Sequence, residues 1–201
     1  MAGPVAQVLF ATAVAASWRS ALDAIIDAVR YGDREDDRFW VGTTRPIGGS
    51  YEGGGRPFIV SVGTELPWQE DGLLGEVGGT PALYEQPFGL RPDNGVTLIA
   101  MCDRSEDHRV LGELALVLAE RLGGVVDLGG LIVPRAVPYQ EWLEASWPAM
   151  RPVVEAFTAA MPGKAVAIPY PTVSGQEWAV HTVDATFLRA WLRHPEFRMI
   201  K

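Results

Sequence analysis

Apolar residues along the chain follow two periods, and the points where one gives way to the other mark out the predicted elements. Val5–Phe10 is a short, almost unbroken apolar run followed by small residues, which reads as a buried strand. From Trp18 the spacing changes. Trp18, Leu22, Ile25, Ile26 and Val29 recur at intervals that line one face of a helix. Ser17 stands where an N-cap belongs, and Gly32 closes the pattern. Phe39–Thr43 and Phe58–Val62 predict two more strands. The connection between them holds Gly48, Gly49, Gly53, Gly54 and Gly55, which points to a long hairpin loop rather than a tight turn. The opening half therefore reads β-α-β-β.

Glu65–Arg91 breaks both periods. It is dense in Gly and Pro, with Trp68, Leu73, Leu74, Leu83, Tyr84 and Phe88 interspersed, and long irregular stretches of this kind often carry function. Val96–Cys102 then predicts a continuous strand, and Asp103 and Glu106 have capping-box spacing. Val110, Leu111, Leu114, Val117, Leu118 and Leu122 trace the apolar face of the helix that follows, and Gly123-Gly124 stop it. Val125–Val133 resumes as a strand interrupted at Gly129-Gly130. A strand, helix and strand joined over this length permit a parallel crossover, a connection that is almost always right-handed. Tyr139–Met161 is helical in pattern, with Pro148 and Pro152 placed to kink or split it. Lys164–Tyr170 and Glu177–Val183 predict a hairpin about Ser174-Gly175, and a last helix runs from Asp184 through Phe187, Leu188, Trp191 and Leu192.

These elements predict one α/β domain over residues 1–201, a mixed twisted sheet with helices packed mainly on one face. Its expected core includes Leu22, Ile26, Val60, Leu98, Ile99, Leu111, Leu114, Leu118, Val126 and Leu188.

Composition narrows the function classes. The chain of 201 residues is 48% hydrophobic and 21% charged, an ordinary globular balance. Its net charge of −8 disfavours a nucleic-acid partner, which calls for a basic face or stripe. No apolar run reaches the length of a membrane span. Pro4–Ala16 is apolar and Ala13–Ser17 resembles a cleavage site, but no Lys or Arg precedes Arg19, so a secretory signal lacks its positive region. Cys102 is the single cysteine, which excludes an internal disulfide and suits a reducing, cytoplasmic setting.

Candidate chemistry is sparse. Cys102 and Asp103 precede Asp107 and His108 where a strand runs into a helix N-terminus, a place where thiolate pKa falls and a base stands near. A nucleophilic pair there competes with the simpler reading of Cys102 as a small buried hydrophobe. His108, His181 and His194 lack metal-ligand spacing, and His181, alternating with Val180 and Trp178 in a strand, reads as structural. The glycine clusters lack the Lys-Ser or Lys-Thr and the capped helix of a phosphate loop, so neither metal nor cofactor is expected. Val173-Ser174-Gly175 lies in a hairpin turn, the wrong context for a nucleophile elbow.

Charge is distributed unevenly. Glu65, Glu70, Asp71, Glu76 and Glu85 accumulate with no Lys or Arg among them, and Trp68 sits within that stretch. An aromatic anchor in acidic surroundings is an interface signature, so Glu65, Trp68, Glu70, Asp71 and Glu76 form the expected partner-binding set. Asp33, Glu35, Asp36 and Asp37 make a second acidic cluster, offset in part by Arg34 and Arg38.

The runs Asp107–Ala115, Ala119-Glu120 and Gly123–Gly130, the ending Phe187–Leu192, His194-Pro195 and Phe197–Lys201, and the start Met1–Pro4 resemble a family of uncharacterised actinobacterial proteins of about this length. That resemblance carries no functional residues with it. Small acidic α/β proteins of such bacteria are often immunity proteins, which bind and neutralise a toxin, and this class analogy agrees with the acidic clusters. The expected function is a non-enzymatic protein-binding module of immunity type, acting on a basic protein toxin. Two alternatives stand beside it: a small hydrolase-like enzyme with a site near Cys102 and His108, and a structural or scaffold partner.

Overall fold

The computed structural model describes residues 3–13, 17–63, 82–138, 145–171 and 177–199. Strand β1 (Val5–Phe10) forms the middle of a seven-stranded sheet of order β2-β3-β4-β1-β5-β7-β6, with β2 at Arg38–Thr43, β3 at Glu52–Gly63, β4 at Asn94–Ala100, β5 at Val125–Asp127, β6 at Ala165–Pro171 and β7 at Glu177–Val183. The fold combines helices and strands as expected and is of the α+β kind, with an antiparallel sheet in place of the mixed one. Every neighbouring pair is antiparallel. The parallel relation that the crossover permits holds between β4 and β5, which flank β1 on either side. β1 and β3 are related in the same way across β4, so the centre of the sheet is a pair of interleaved split β-α-β units.

Period-two alternation divides the strands cleanly. Ala6, Val8 and Phe10 of β1, Val96, Leu98 and Ala100 of β4, Phe58 and Val60 of β3, and Val126 of β5 all enter the main core. Helices α1 (Trp18–Val29), α3 (Ser105–Leu122) and α5 (Ala185–Trp191) cover this face with Leu22, Ile26, Leu111, Leu114, Leu118 and Leu188. Helix α4 (Trp147–Ala159) extends the layer over β7, where Trp147, Met150 and Val154 meet Ala179. Pro148 lies in its first turn, which tolerates proline, and Pro152 lies inside it. Among the described residues, α2 (Ala82–Phe88) is the one helix on the opposite face, where Tyr84 meets Leu9, Val125 and Ile168.

The structure moves several expected boundaries. Gly53, Gly54 and Gly55 belong to β3 and not to a hairpin loop, whose true extent is closer to Thr44–Tyr51. Glycine at 55 lets the strands pack closely, since a Cβ there would come within 3.2 Å of both Trp40 Cβ and Tyr31 Cδ1 and these neighbours would have to give. Strand β5 stops at Asp127, since the Asp127 carboxylate turns the chain by accepting the Gly129 N–H at 2.7 Å. The helix α3 cap sits one residue later than its spacing suggests: Arg104 is the N-cap, and Asp107 Oδ2 accepts the Arg104 N–H at 2.8 Å. At the other end Gly123 adopts the left-handed conformation, φ 60°. Ile99 is half-buried on the second face and is not part of the main core.

The last residues described are held against α3. A Cβ on Gly112 would lie 2.9 Å from Leu192 Cδ2 and 3.1 Å from Phe197 Cζ, so this bare patch of helix is where the segment docks. The Trp191 indole N–H donates to the Arg198 carbonyl at 3.1 Å, and Met199 is fully buried. Among the described residues, no helix is long and apolar enough to cross a membrane.

Candidate functional site

Three places gather side chains beyond what folding requires. The first is the sheet edge at β2. The chain leaves α1 at Arg30 and returns to β2 through Tyr31–Asp37, a loop fixed at several points. Tyr31 N–H donates to the Trp40 carbonyl at 2.6 Å, Glu35 and Arg38 exchange backbone hydrogen bonds of 2.9 and 2.7 Å, and Val60 N–H donates to Asp37 at 2.8 Å. Arg34 ties the loop to α1 through Asp23 at 2.8 Å, while its Nε donates to the Asp36 carbonyl. Asp36 takes a left-handed φ of 50°, which Asp tolerates better than most residues. The outcome is a rigid loop with Asp33, Glu35, Asp36 and Asp37 all exposed. Tyr31 opens it at 66% exposure, the most exposed of the large hydrophobic side chains described.

The second place is the start of α3. His108 Nε2 pairs with Asp103 Oδ1 at 2.9 Å, and Nδ1 lies 3.0 and 3.1 Å from the Met199 carbonyl and amide. Both ring nitrogens are thus engaged, and the imidazole clips the segment at Met199 to the helix. Cys102 is half-buried just beyond β4. Acting as a base toward Cys102 would require His108 to surrender one of these partners. Nearby, Arg56 reaches Asp107 at 3.5 Å and Glu106 at 3.8 Å, and Asp107 is almost fully buried. Glu113, one turn and a half further along, accepts from Ser50 N–H at 2.9 Å, Ser50 Oγ at 2.8 Å and the Thr44 hydroxyl. That carboxylate anchors the β2–β3 connection.

The third place lies on the second face and was invisible in the sequence. Strand registers align Ser61 with Thr97, Thr97 with Gln7, Gln7 with Asp127 and Asp127 with Thr182. One row of polar side chains therefore crosses five adjacent strands, from exposed Ser61 through half-buried Thr97 and Gln7 to buried Asp127 and Thr182. Asp127 is only 6% exposed, and burial pushes its carboxyl up to about 6, against the single compensating hydrogen bond from Gly129. Thr182 Oγ1 is buried with no hydrogen bond of good geometry among the described residues, yet it stands near enough to the Tyr84 phenol to ease its ionisation. Desolvation and the Asp127 charge both hold Tyr84 and the half-buried Tyr170 above the usual phenol range.

Ser61, Thr97, Gln7 and Asp127 each stand alone within an apolar run and Thr182 follows His181, so no local motif announces the row. The available signal was phase: Gln7 and Asp127 each break a strand's apolar continuity on the side away from the helices. His181, on the helix-covered side of β7, is the satisfied structural residue expected. Its Nδ1 accepts the Ile132 N–H at 2.8 Å, and burial lowers its pKa to about 4. Of the expected partner-binding residues, Glu65, Trp68, Glu70, Asp71 and Glu76 lie outside the described residues, as does Trp142. Trp18 and Trp191 are buried, and Trp40 and Trp178 are half-buried in their strands. Among the described residues, no group of three or more His, Cys, Asp and Glu side chains is arranged to hold a metal ion.

A family model described as Family of unknown function (DUF6368) matches residues 2–201. The chain belongs to the DUF6368 family. No curated protein and no solved structure matches this DUF6368 chain.

Proposed function

We propose that this DUF6368 protein is a protein-binding module of immunity type, which holds a basic bacterial toxin in the cytoplasm of an actinobacterial host. The observation that carries the reading is Tyr31, an exposed aromatic side chain on a rigid loop that also presents Asp33, Glu35, Asp36 and Asp37. A rigid loop loses little entropy on binding, an aromatic anchor supplies desolvated contact area, and surrounding acids steer a basic partner. The net charge of −8 acts in the same direction at longer range. Glu65, Trp68, Glu70, Asp71 and Glu76 repeat the combination of aromatic and acid, and they are proposed as a second contact region of the same kind.

Affinity capture from the native host, followed by binding kinetics on the recovered protein, tests this reading. A basic protein should copurify in stoichiometric amount. Tyr31→Ala should raise its dissociation rate on the order of tenfold or more, the usual effect of truncating an anchor. Neutralising Asp33, Glu35, Asp36 and Asp37 together should slow association and flatten its salt dependence. Recovery of a stoichiometric small molecule with no protein would contradict the proposal. Unchanged kinetics in both Tyr31 and Trp68 variants would place the interface elsewhere.

A further inference from the structure

The polar row on the second face ends in an electrostatic imbalance. Buried carboxylates are ordinarily paired with a cation or satisfied by several donors, because an isolated charge in an apolar setting is costly. Asp127 receives one N–H, from Gly129, and no lysine, arginine or histidine contributes to its field. The parts of the chain outside the described residues contain no Arg, and Lys201 is their only Lys. Beside this carboxylate, Thr182 keeps a buried hydroxyl without a hydrogen bond of good geometry, itself an expensive arrangement. Among the described residues, Thr182 of β7 and Gln7 of β1 are the strand neighbours of Asp127, its charge is felt by Tyr84 of α2 and Tyr170 of β6, and none of these groups is cationic. Carboxylate, hydroxyl and two aromatic rings together are the complement of an ammonium group carried on a short carbon chain. The ammonium supplies the missing charge and several N–H donors, and the rings favour both its charge and its carbon atoms.

We propose that Asp127, Thr182, Tyr84 and Tyr170 form a binding site for a small primary amine. The ammonium nitrogen donates to the Asp127 carboxylate and to Thr182 Oγ1, while the Tyr84 and Tyr170 rings flank the carbon chain. This site is independent of the partner-binding loop at Tyr31, so either can fail alone.

The probe is n-butylamine hydrochloride, with n-butanol as the uncharged isostere and sodium chloride at equal ionic strength as the control. Isothermal titration calorimetry on the full chain should show one amine bound per chain, and n-butanol should not compete. Affinity should tighten about tenfold between pH 5 and pH 7, because the carboxyl must ionise to pair with the ammonium and its midpoint is near 6. Binding at pH 6 should release a fraction of a proton, read from the dependence of the heat on buffer ionisation enthalpy. Asp127→Asn should abolish binding, and Thr182→Val, which keeps the shape of the side chain, should weaken it several-fold. Competition by n-butanol, a pH-independent affinity, or an Asp127→Asn protein that remains folded and binds as tightly would each overturn the proposal. Absence of any heat with butylamine at millimolar concentration would overturn it as well.

Discussion

On the helix-covered face of the sheet, Val8, Leu98, Val60 and Val126 meet Leu111, Leu114 and Leu118, and the one buried titratable group on β7 there, His181, is held by a backbone N–H. On the opposite face, Ser61, Thr97, Gln7, Asp127 and Thr182 run side by side across the strands, and among the described residues Asp127 has no countercharge and one hydrogen-bond donor, the Gly129 N–H. Both faces descend from the same alternation along the same strands. The difference is in what each side chain is asked to do. On the first face burial of apolar area dominates and the buried polar groups Asp107, Glu113 and His181 each have hydrogen-bond partners, whereas the second keeps Asp127 and Thr182 buried at a cost that their own hydrogen bonds do not offset.

The largest expected effect lies on the first face. Leu114→Ala should destabilise the protein by about 2–5 kcal/mol, since it removes a fully buried side chain between helix and sheet. Urea melts of the two proteins measure it, and an unchanged midpoint would mean that the apolar helix face is not where the stability resides.

Next come the two buried titratable groups, whose effects oppose each other. His181 has its pKa lowered from 6.5 to about 4, so the stability it permits is present above pH 6.5 and is lost as pH falls toward 4. Asp127 has its pKa raised from 3.8 to about 6, so its contribution is complete below pH 3.8 and is lost as pH rises through 6. Each amounts to about 3 kcal/mol, and over the shared window they nearly cancel. Stability measured by urea melts should then change little between pH 4 and pH 6.5 in the parent protein. Asp127→Asn should expose a loss on acidification, and it should be the more stable protein at neutral pH by up to about 3 kcal/mol. His181→Asn, whose amide oxygen can accept the Ile132 N–H, should show the reverse slope. Parallel pH profiles for all three would erase the distinction between the faces.

The smallest expected effect is at the edge. Tyr31→Ala should alter stability by less than about 0.5 kcal/mol, because the side chain is mostly solvent-exposed. A loss well above that would show that Tyr31 holds Gly42 and Gly55 in place, and its presentation to a partner would lose its rationale.

The first face was legible in the sequence because helical and strand periods repeat over many residues. Trp18, Leu22, Ile25, Ile26 and Val29 of α1 are all buried, and Asp184 caps α5 through the Phe187 N–H at 2.7 Å. Boundaries were less legible where one side chain decides them. Asp127 ends β5 through a hydrogen bond that apolar periodicity does not register, and Asp107 takes the capping role that Glu106 has by spacing. The polar row was not legible at all, since its members come from β3, β4, β1, β5 and β7 and converge only through strand register. The sequence did mark Asp33, Glu35, Asp36 and Asp37 as a cluster, but it did not join Tyr31 to them. That required the backbone hydrogen bond to Trp40.

The contrast between the faces rests on a carboxyl group buried without a cation. A carbon-13 NMR titration of the Asp127 side-chain carboxyl, assigned with Asp127→Asn, reads this state directly. The account predicts a midpoint near pH 6 in the protein without added amine. A midpoint at or below the ordinary value of 3.8 would show that Asp127 is ionised and compensated, and would contradict the account.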